Sequence, residues 1–311
     1  MKKVIGITGG IGAGKSLVAS ILRKMGFPVF NADLESKKIV STSREVQFEI
    51  SKLLGKEAFS QNGTYNAEYV SKIVFENPKK LEALNKIIHP RVRENFSQFI
   101  SCSNSPLVFS EAAILYETGV YKNYDEVVLV TAPLEMRIER CMQRDVLSRE
   151  QIQAKINRQL TDEEKVKFNP IILKNNGETP LLDQIEQLIQ TLLNSKKKLK
   201  SRADVTFLVQ SFYECVLKDE LLSPFFKKLD FDKHLPKMID FWGFILLGET
   251  GYTTNVIEKH LHMPLKGEHF ERWLSLFHQT LNTYFEGENV ETAKQRAYTI
   301  AWTTKSKMKI I

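Results

Sequence analysis

Short apolar runs alternate with helical stretches over the first part of the chain, up to about Leu193. The run Val4–Thr8 is rich in β-branched residues, as expected for a parallel strand that is buried on both faces. Comparable runs occupy Val29–Phe30, Leu107–Ser110 and Val127–Thr131. Strands that alternate with helices in this way predict an α/β domain, in which helices cover both faces of a parallel sheet.

The pattern changes near Lys196, where a short run of charged residues begins. After it, apolar residues recur at helical spacing over Asp204–Leu222, over Phe270–Leu281 and, more weakly, over Ala293–Trp302. No run of the strand type follows, so the second domain is predicted to be all-α. The predicted boundaries are an α/β domain over residues 1–195, a linker over 196–202 and a helical domain over 203–311.

The first predicted strand runs directly into G-G-I-G-A-G-K-S, which fits the phosphate-binding loop (P-loop) pattern G-x-x-x-x-G-K-[ST]. Glycines let the backbone N–H groups surround a triphosphate, and the N-terminus of the following helix adds partial positive charge. Lys15 can reach the β- and γ-phosphates, and the Ser16 hydroxyl can ligate Mg²⁺. The residues expected to bind ATP are Gly9, Gly10, Ile11, Gly12, Ala13, Gly14, Lys15, Ser16 and Leu17.

Charged residues elsewhere in this domain suggest how a phosphoryl group is transferred. Asp33 follows the second predicted strand, so it lies at the carboxyl edge of the sheet, where it could accept a proton from an acceptor hydroxyl. The alternative role of Asp33 is a helix N-cap. Arg137, Arg140 and Arg144 recur on one helical face, followed by Arg149. These arginines either neutralise phosphoryl oxygens or form a solvated charged face.

Composition excludes several classes of function. The net charge of +7 comes from basic residues spread along the chain, as expected when the ligands are phosphate anions, and it predicts no nucleic-acid partner. The longest apolar stretch, around Ile239–Leu247, is too short to span a bilayer, so no membrane partner is expected. The three cysteines are few and scattered, which favours a reducing cytoplasm over a disulfide or zinc framework.

Taken together, these motifs resemble the dephospho-coenzyme A kinase family over residues 1–193. The resemblance implies a kinase that transfers the γ-phosphoryl group of ATP to the ribose 3′-hydroxyl of dephospho-coenzyme A. A P-loop kinase of another small hydroxyl, such as a nucleoside monophosphate or shikimate, is the alternative. The matching segments are T-G-G-I-G-A-G-K-S at 8–16, N-A-D at 31–33, L-N-K-I-I-H-P at 84–90, E-A-A-I-L-Y-E-T-G at 111–119 and Q-R-D-V-L-S-R-E at 143–150.

The resemblance also implies roles for particular residues. Asp33 is the implied general base. The remaining implied roles are phosphate and Mg²⁺ binding by Lys15 and Ser16, lid contacts to ATP by Arg140 and Arg144, and acceptor binding by His89 and Glu117.

Three positions and one segment depart from the family pattern, and none of these changes removes a group that the transfer requires. Leu17 replaces a hydroxyl residue, Asn31 replaces the first acid of D-A-D, and Ala113 replaces a proline. The segment 171–177 lacks an acid that usually precedes it. That segment normally flanks the adenine, so nucleotide affinity is the property that these changes are expected to affect.

Histidines are concentrated in the helical domain, which invites a metal or haem interpretation. No cysteine pair and no His-x-x-x-His pair accompanies them, which weakens a zinc site. A surface or core role is the ordinary alternative for any single histidine. Five of the six histidines lie after residue 233: His234, His260, His262, His269 and His278.

The order of motifs over residues 203–305 resembles a group III truncated haemoglobin, which has a two-over-two helical sandwich. The motifs are F-Y at 212–213, His234 before F-W at 241–242, L-L-G-E-T-G-Y at 246–252, E-K-H-L at 258–261 and H-F-E-R-W-L at 269–274.

This resemblance implies that His260 is the proximal ligand of a haem b iron. Tyr213, His234 and Trp273 would form the distal pocket around a diatomic gas. A haem-free helical docking or dimerisation domain is the alternative. The aromatic residues expected to line the porphyrin are Phe212, Phe241, Phe244 and Phe277.

Overall fold

The computed structural model describes residues 2–60, 62–145, 147–227, 229–252, 261 and 263–310. The chain forms two compact units, and it passes from the first to the second between Asn194 and Ser195. The segment 196–202, which was expected to be a linker, is instead part of the folded second unit. Lys197–Lys198 forms a short parallel strand with Phe285–Glu286, and Leu199 is buried in the core of that unit.

In the first unit, as far as the structure describes it, five parallel strands form one sheet in the order β2-β3-β1-β4-β5. Ile5, Ile7 and Phe109 have no exposed area. This burial on both faces explains why the sequences of their strands are nearly continuous apolar runs. The α/β prediction is confirmed, and the structure adds β5, which the sequence pattern did not predict. The strands are β1 (Lys3–Thr8), β2 (Val29–Asn31), β3 (Leu107–Glu111), β4 (Glu126–Thr131) and β5 (Ile171–Lys174).

One group of helices covers the faces of this sheet. A second group, between β2 and β3, forms a separate helical part. Buried residues of the helices after β2, among them Val46 and Ile50, form a core of their own. The helices are α1 (Lys15–Lys24), α2 (Ala32–Thr42), α3 (Arg44–Leu54), α4 (Ala67–Glu76), α5 (Pro78–Cys102), α6 (Leu134–Arg144), α7 (Arg149–Ile156), α8 (Asp162–Val166) and α9 (Leu181–Asn194).

Where the structure describes it, the second unit is helical, apart from the two-residue strands named above. The helix predicted over 204–222 ends earlier, because the Asp219 carboxylate accepts hydrogen bonds from the Leu221 and Leu222 amides and starts a turn. Phe212 and Phe277 lie at the centre of an aromatic core. The helices are α10 (Arg202–Lys218), α11 (Phe231–Leu247), α12 (Gly267–Tyr284) and α13 (Glu288–Lys307), and the strands are β6 (Lys197–Lys198) and β7 (Phe285–Glu286).

Within the described residues, none of the helices combines the length and the apolar character that crossing a bilayer would need.

Candidate functional site

The P-loop connects β1 to α1 at the carboxyl edge of the sheet, with Gly14 at φ 98° starting the helix. Arg137 of α6 packs directly against the loop. A Cβ added to Gly10 would lie 2.0 Å from Arg137 Nη2, and one added to Gly12 would lie 2.4 Å from the Arg137 carbonyl oxygen. Gly12 also has φ 78°, which disfavours any side chain. Gly12 is therefore required by its φ and by the Arg137 backbone, whereas at Gly10 the close atoms belong to the end of the Arg137 side chain.

Lys15, the first residue of α1, folds back over the P-loop. Its Nζ donates to the carbonyl oxygens of Gly9 at 3.0 Å and Gly10 at 3.2 Å. Burial lowers the pKa of Lys15, and the carboxylates of Glu111 and Asp33 oppose that shift. The ammonium is thus held above the loop among carboxylates that favour its charged form.

Glu111, the last residue of β3, joins the P-loop to the start of α2. Its side chain is buried, and its Oε1 accepts a hydrogen bond from Ser16 Oγ at 2.6 Å. Its Oε2 accepts one from Asn31 Nδ2 at 2.9 Å. An aspartate at position 31 could not donate this bond and would place a second negative charge beside Glu111. The hydroxyl and the carboxylate together form a set of oxygen donors that suits Mg²⁺.

Asp33 lies in the first turn of α2, but it does not cap the helix. Asn31 is the N-cap, because its Oδ1 accepts from the Leu34 amide at 2.8 Å. Among the described residues, nothing hydrogen-bonds the Asp33 carboxylate. Although this side chain reaches solvent, the protein around it removes enough water to raise its pKa, an effect that Lys15 opposes and Glu111 reinforces.

Two of the four predicted arginines contact the P-loop and its neighbours. Arg137 is buried, and its Nε donates to the Ile11 carbonyl oxygen at 2.9 Å. Arg140 Nη2 donates to the carbonyl oxygen of Asn175 at 3.1 Å, and the Asn175 side chain in turn donates to the Ala13 carbonyl oxygen at 2.9 Å. Arg140 Nη1 is buried without a hydrogen-bond partner among the described residues. That nitrogen therefore keeps its capacity to donate hydrogen bonds.

The other two arginines pair with neighbouring carboxylates instead. Arg144 forms two hydrogen bonds with Asp145, at 3.0 and 2.8 Å. Arg149 lies 2.6 Å from Glu135. Both arginine side chains are exposed, so in this structure they lie on the solvated face of the α6–α7 region.

The two residues predicted to bind the acceptor lie in different surroundings. His89 lies inside α5, before Pro90, and is half-buried; burial and the nearby Arg93 lower its pKa. Glu117 contacts protein groups, since its Oε1 accepts from the Leu160 amide at 3.1 Å and lies 3.4 Å from Lys165 Nζ. The structure therefore surrounds Glu117 with α8 and the segment before it.

The second unit contains an apolar cavity of about 280 Å³ between its helices. Tyr213, His234 and Trp273 all line it, and the Tyr213 hydroxyl and His234 Nε2 are hydrogen-bonded at 2.7 Å. Burial raises the pKa of Tyr213, so its hydroxyl stays protonated. Predicted His260, like residues 253–259 and 262, lies outside the described residues.

The aromatic lining of this cavity differs from the predicted lining in one place. Phe212, Phe241 and Phe277 line it as expected, but Phe244 does not and is half exposed. Trp242, the residue after Phe241, is buried instead and stacks on Phe277 with ring centroids 4.7 Å apart. His269 also lines the cavity, a position that helical spacing alone did not reveal.

The sequence model of the dephospho-CoA kinase family matches residues 3–180 of this chain. The chain belongs to the dephospho-CoA kinase family. A dephospho-CoA kinase from Bacteroides fragilis is 43% identical over 189 residues, which cover 60% of this chain and 92% of that protein. A crystal structure of a Thermus thermophilus protein, 34% identical, covers 62% of this chain and 96% of that one with a TM-score of 0.55. The chain is thus a dephospho-CoA kinase with an additional unit.

That additional unit matches the sequence model of bacterial-like globins over residues 197–306. A group III truncated hemoglobin from Campylobacter jejuni is 32% identical to it, covering 37% of this chain and 95% of that protein with a TM-score of 0.34. The globin model begins at the residue where β6 begins, so it includes the strand that the sequence pattern assigned to a linker.

Proposed function

We propose that the first unit transfers the γ-phosphoryl group of ATP to the ribose 3′-hydroxyl of dephospho-CoA. In this reaction the bond between the γ-phosphorus and the oxygen left on ADP breaks, and a bond to the 3′-oxygen forms. Asp33 accepts the proton of the hydroxyl. The observation that carries this proposal is the position of Asp33, at the same sheet edge as Lys15 and within its electrostatic influence.

The other charged groups act on the phosphates. Lys15 and the unpartnered Nη1 of Arg140 neutralise the negative charge of the transferring group, and Arg144 joins them if its pairing with Asp145 opens. Ser16, beside Glu111, holds Mg²⁺, which supplies further charge neutralisation when it is bound. In this proposal His89 and Glu117 help to bind the acceptor, dephospho-CoA. Glu117 does so indirectly, by holding the chain segment at Leu160.

A purified-protein assay tests the reaction and its regiochemistry together. With ATP and dephospho-CoA we expect ADP and a product whose phosphorus NMR spectrum shows a new monoester at the ribose 3′ position. Shikimate and nucleoside monophosphates are the matched acceptors for the alternative kinases. Turnover with one of those acceptors, and none with dephospho-CoA, would contradict the proposal.

For the second unit we propose haem b binding and, at the haem, recognition of a diatomic gas. The apolar aromatic cavity, with the hydrogen-bonded Tyr213–His234 pair in its lining, has the chemistry that suits a porphyrin and a small polar ligand. His260 would hold the haem iron, which supplies the gas-binding centre. Tyr213, His234 and Trp273 would provide the polar groups that act on the gas.

An absorption spectrum tests the haem proposal. The purified protein, or the protein titrated with haemin, is expected to show a Soret band with one haem per chain. His260→Ala is expected to shift this band and weaken haem retention by at least about tenfold, because the imidazole ligand is lost. His262→Ala is the matched control. A wild-type protein that does not retain haemin would favour the haem-free docking domain.

A further inference from the structure

A fully buried lysine, Lys165, lies beside the P-loop and has no role in the chemistry described so far. It lies in α8, whose first turn is fixed by a capping box between Thr161 and Glu164. Lys165 Nζ is 3.4 Å from Glu117 Oε1 and has no hydrogen-bond partner in the part of the chain that the structure describes. A buried ammonium is costly, and a buried ion pair is weak evidence for stability, so this pair needs another explanation.

The same Glu117 oxygen also fixes the main chain one turn earlier. Oε1 accepts from the Leu160 amide at 3.1 Å, so the Glu117–Lys165 pair anchors the residue next to Gln159. The side chain of Gln159 then extends to the P-loop, where its Oε1 accepts from the Ile11 amide at 2.9 Å. Its Nε2 donates to the Ala113 carbonyl oxygen at 3.5 Å.

Ile11 is thus held from two sides. Gln159 binds its amide, and Arg137 Nε donates to its carbonyl oxygen at 2.9 Å. Arg137 is itself 3.8 Å from Asp162, at the start of α8. Ile11 stands between Gly10 and Gly12, which have no side chains with which the loop could be fixed. Lys15 and the Ala13 amide hold Gly10 from within the loop, whereas the hydrogen bonds described for Ile11 come from outside it.

We propose that Gln159 is a positioning residue for phosphoryl transfer, which fixes the P-loop tip, and that the buried Glu117–Lys165 pair holds Gln159 in place. Phosphoryl transfer depends mainly on positioning and preorganised charge, so a loop that is free to shift holds the phosphates of ATP less tightly, although no group that touches ATP is lost. This inference rests on the phosphoryl transfer proposed above.

The test compares Gln159→Ala, Lys165→Met and the double variant, with Lys165→Arg as the conservative variant and the exposed Lys167→Met as the matched control. We expect Gln159→Ala and Lys165→Met each to raise the KM for ATP and its Kd by roughly tenfold, the scale of one lost hydrogen bond. In Gln159→Ala, which leaves Glu117 and the Leu160 amide that it holds in place, the KM for dephospho-CoA should stay within about twofold. Lys165→Arg should keep most of the wild-type affinity for ATP, and Lys167→Met should bind ATP as the wild type does.

The double variant separates a shared role from two independent ones. If Lys165 acts through Gln159, the double variant should be about as impaired as the worse single variant; losses that multiply would overturn the proposal. An unchanged ATP Kd in Gln159→Ala would also overturn it, and this variant decides the question if Lys165→Met does not fold. Calorimetric ATP binding needs no acceptor, so a wild type without turnover would count against the proposed function and leave this test intact.

Discussion

Lys15→Ala is expected to abolish phosphoryl transfer while the first unit stays folded. The Lys15 ammonium lies above the P-loop, 3.0 Å from the Gly9 carbonyl oxygen, and it is the charge best placed to act on the transferring phosphoryl group. Removing a preorganised charged donor costs roughly 10²–10³-fold in kcat, or more when the reacting group carries several charges. Steady-state turnover with ATP and dephospho-CoA measures the effect.

The control for Lys15→Ala is Lys24→Ala, which removes an exposed lysine from the other end of the same helix. The melting temperatures of both variants should lie within a few degrees of the wild-type value, because Lys15→Ala removes only hydrogen bonds to two loop carbonyl oxygens. A Lys15→Ala enzyme with near-wild-type turnover would remove Lys15 from the mechanism. A large drop in its melting temperature would assign the lysine to loop stability instead.

The local motifs of the kinase unit were predictable because they are contiguous in sequence. A β-branched run, a glycine loop and a helix start within 16 residues are enough to fix the P-loop at a sheet edge. Asp33 was predictable for the same reason, since it follows β2 by two residues. In the sequence, Asn31 appears only as a replacement for the first acid of D-A-D; the structure shows that it is the N-cap of α2 and a donor to Glu111.

The partners that complete the site come from distant parts of the chain. Glu111 lies 95 residues from Ser16, and the parallel register that pairs Ile7 with Glu111 brings it beside the loop. Asn175 lies 162 residues from Ala13 and follows β5, a strand of four residues whose apolar run is only Ile171–Leu173. Sequence periodicity cannot reveal such pairings, because they depend on strand order and on the register between strands.

The same limit applies in the globin unit. Helical spacing predicted an aromatic core, but a helix with aromatic residues at 241, 242 and 244 does not reveal which of them faces inward. The structure buries Trp242 and leaves Phe244 half exposed. The strand at Lys197–Lys198 had no sequence signal, because lysine is depleted in strands and two residues show no periodicity. Its pairing with β7 depends on the fold around it.

Asp33→Asn is expected to lower kcat by about 10²–10⁴-fold with a smaller effect on the KM for dephospho-CoA. The substitution keeps the shape of the side chain but removes its ability to accept the hydroxyl proton. Since Asn31 caps α2, the helix keeps its N-cap bond to the Leu34 amide. Glu68→Gln, which removes a carboxylate from the first turn of α4, is the matched control for the lost helix-dipole interaction.

The pH dependence of the reaction gives a second test of Asp33. A general base works only when it is deprotonated, so kcat/KM should rise with pH through the pKa of the Asp33 carboxyl. Burial raises that pKa, so the acidic limb should lie above the usual aspartate range and should disappear in Asp33→Asn. If turnover instead falls less than about tenfold and the limb persists, Glu111 becomes the better candidate for the base. Each oxygen of Glu111 already accepts one hydrogen bond, from Ser16 or from Asn31, so the proton would have to go to one of the remaining lone pairs of this carboxylate.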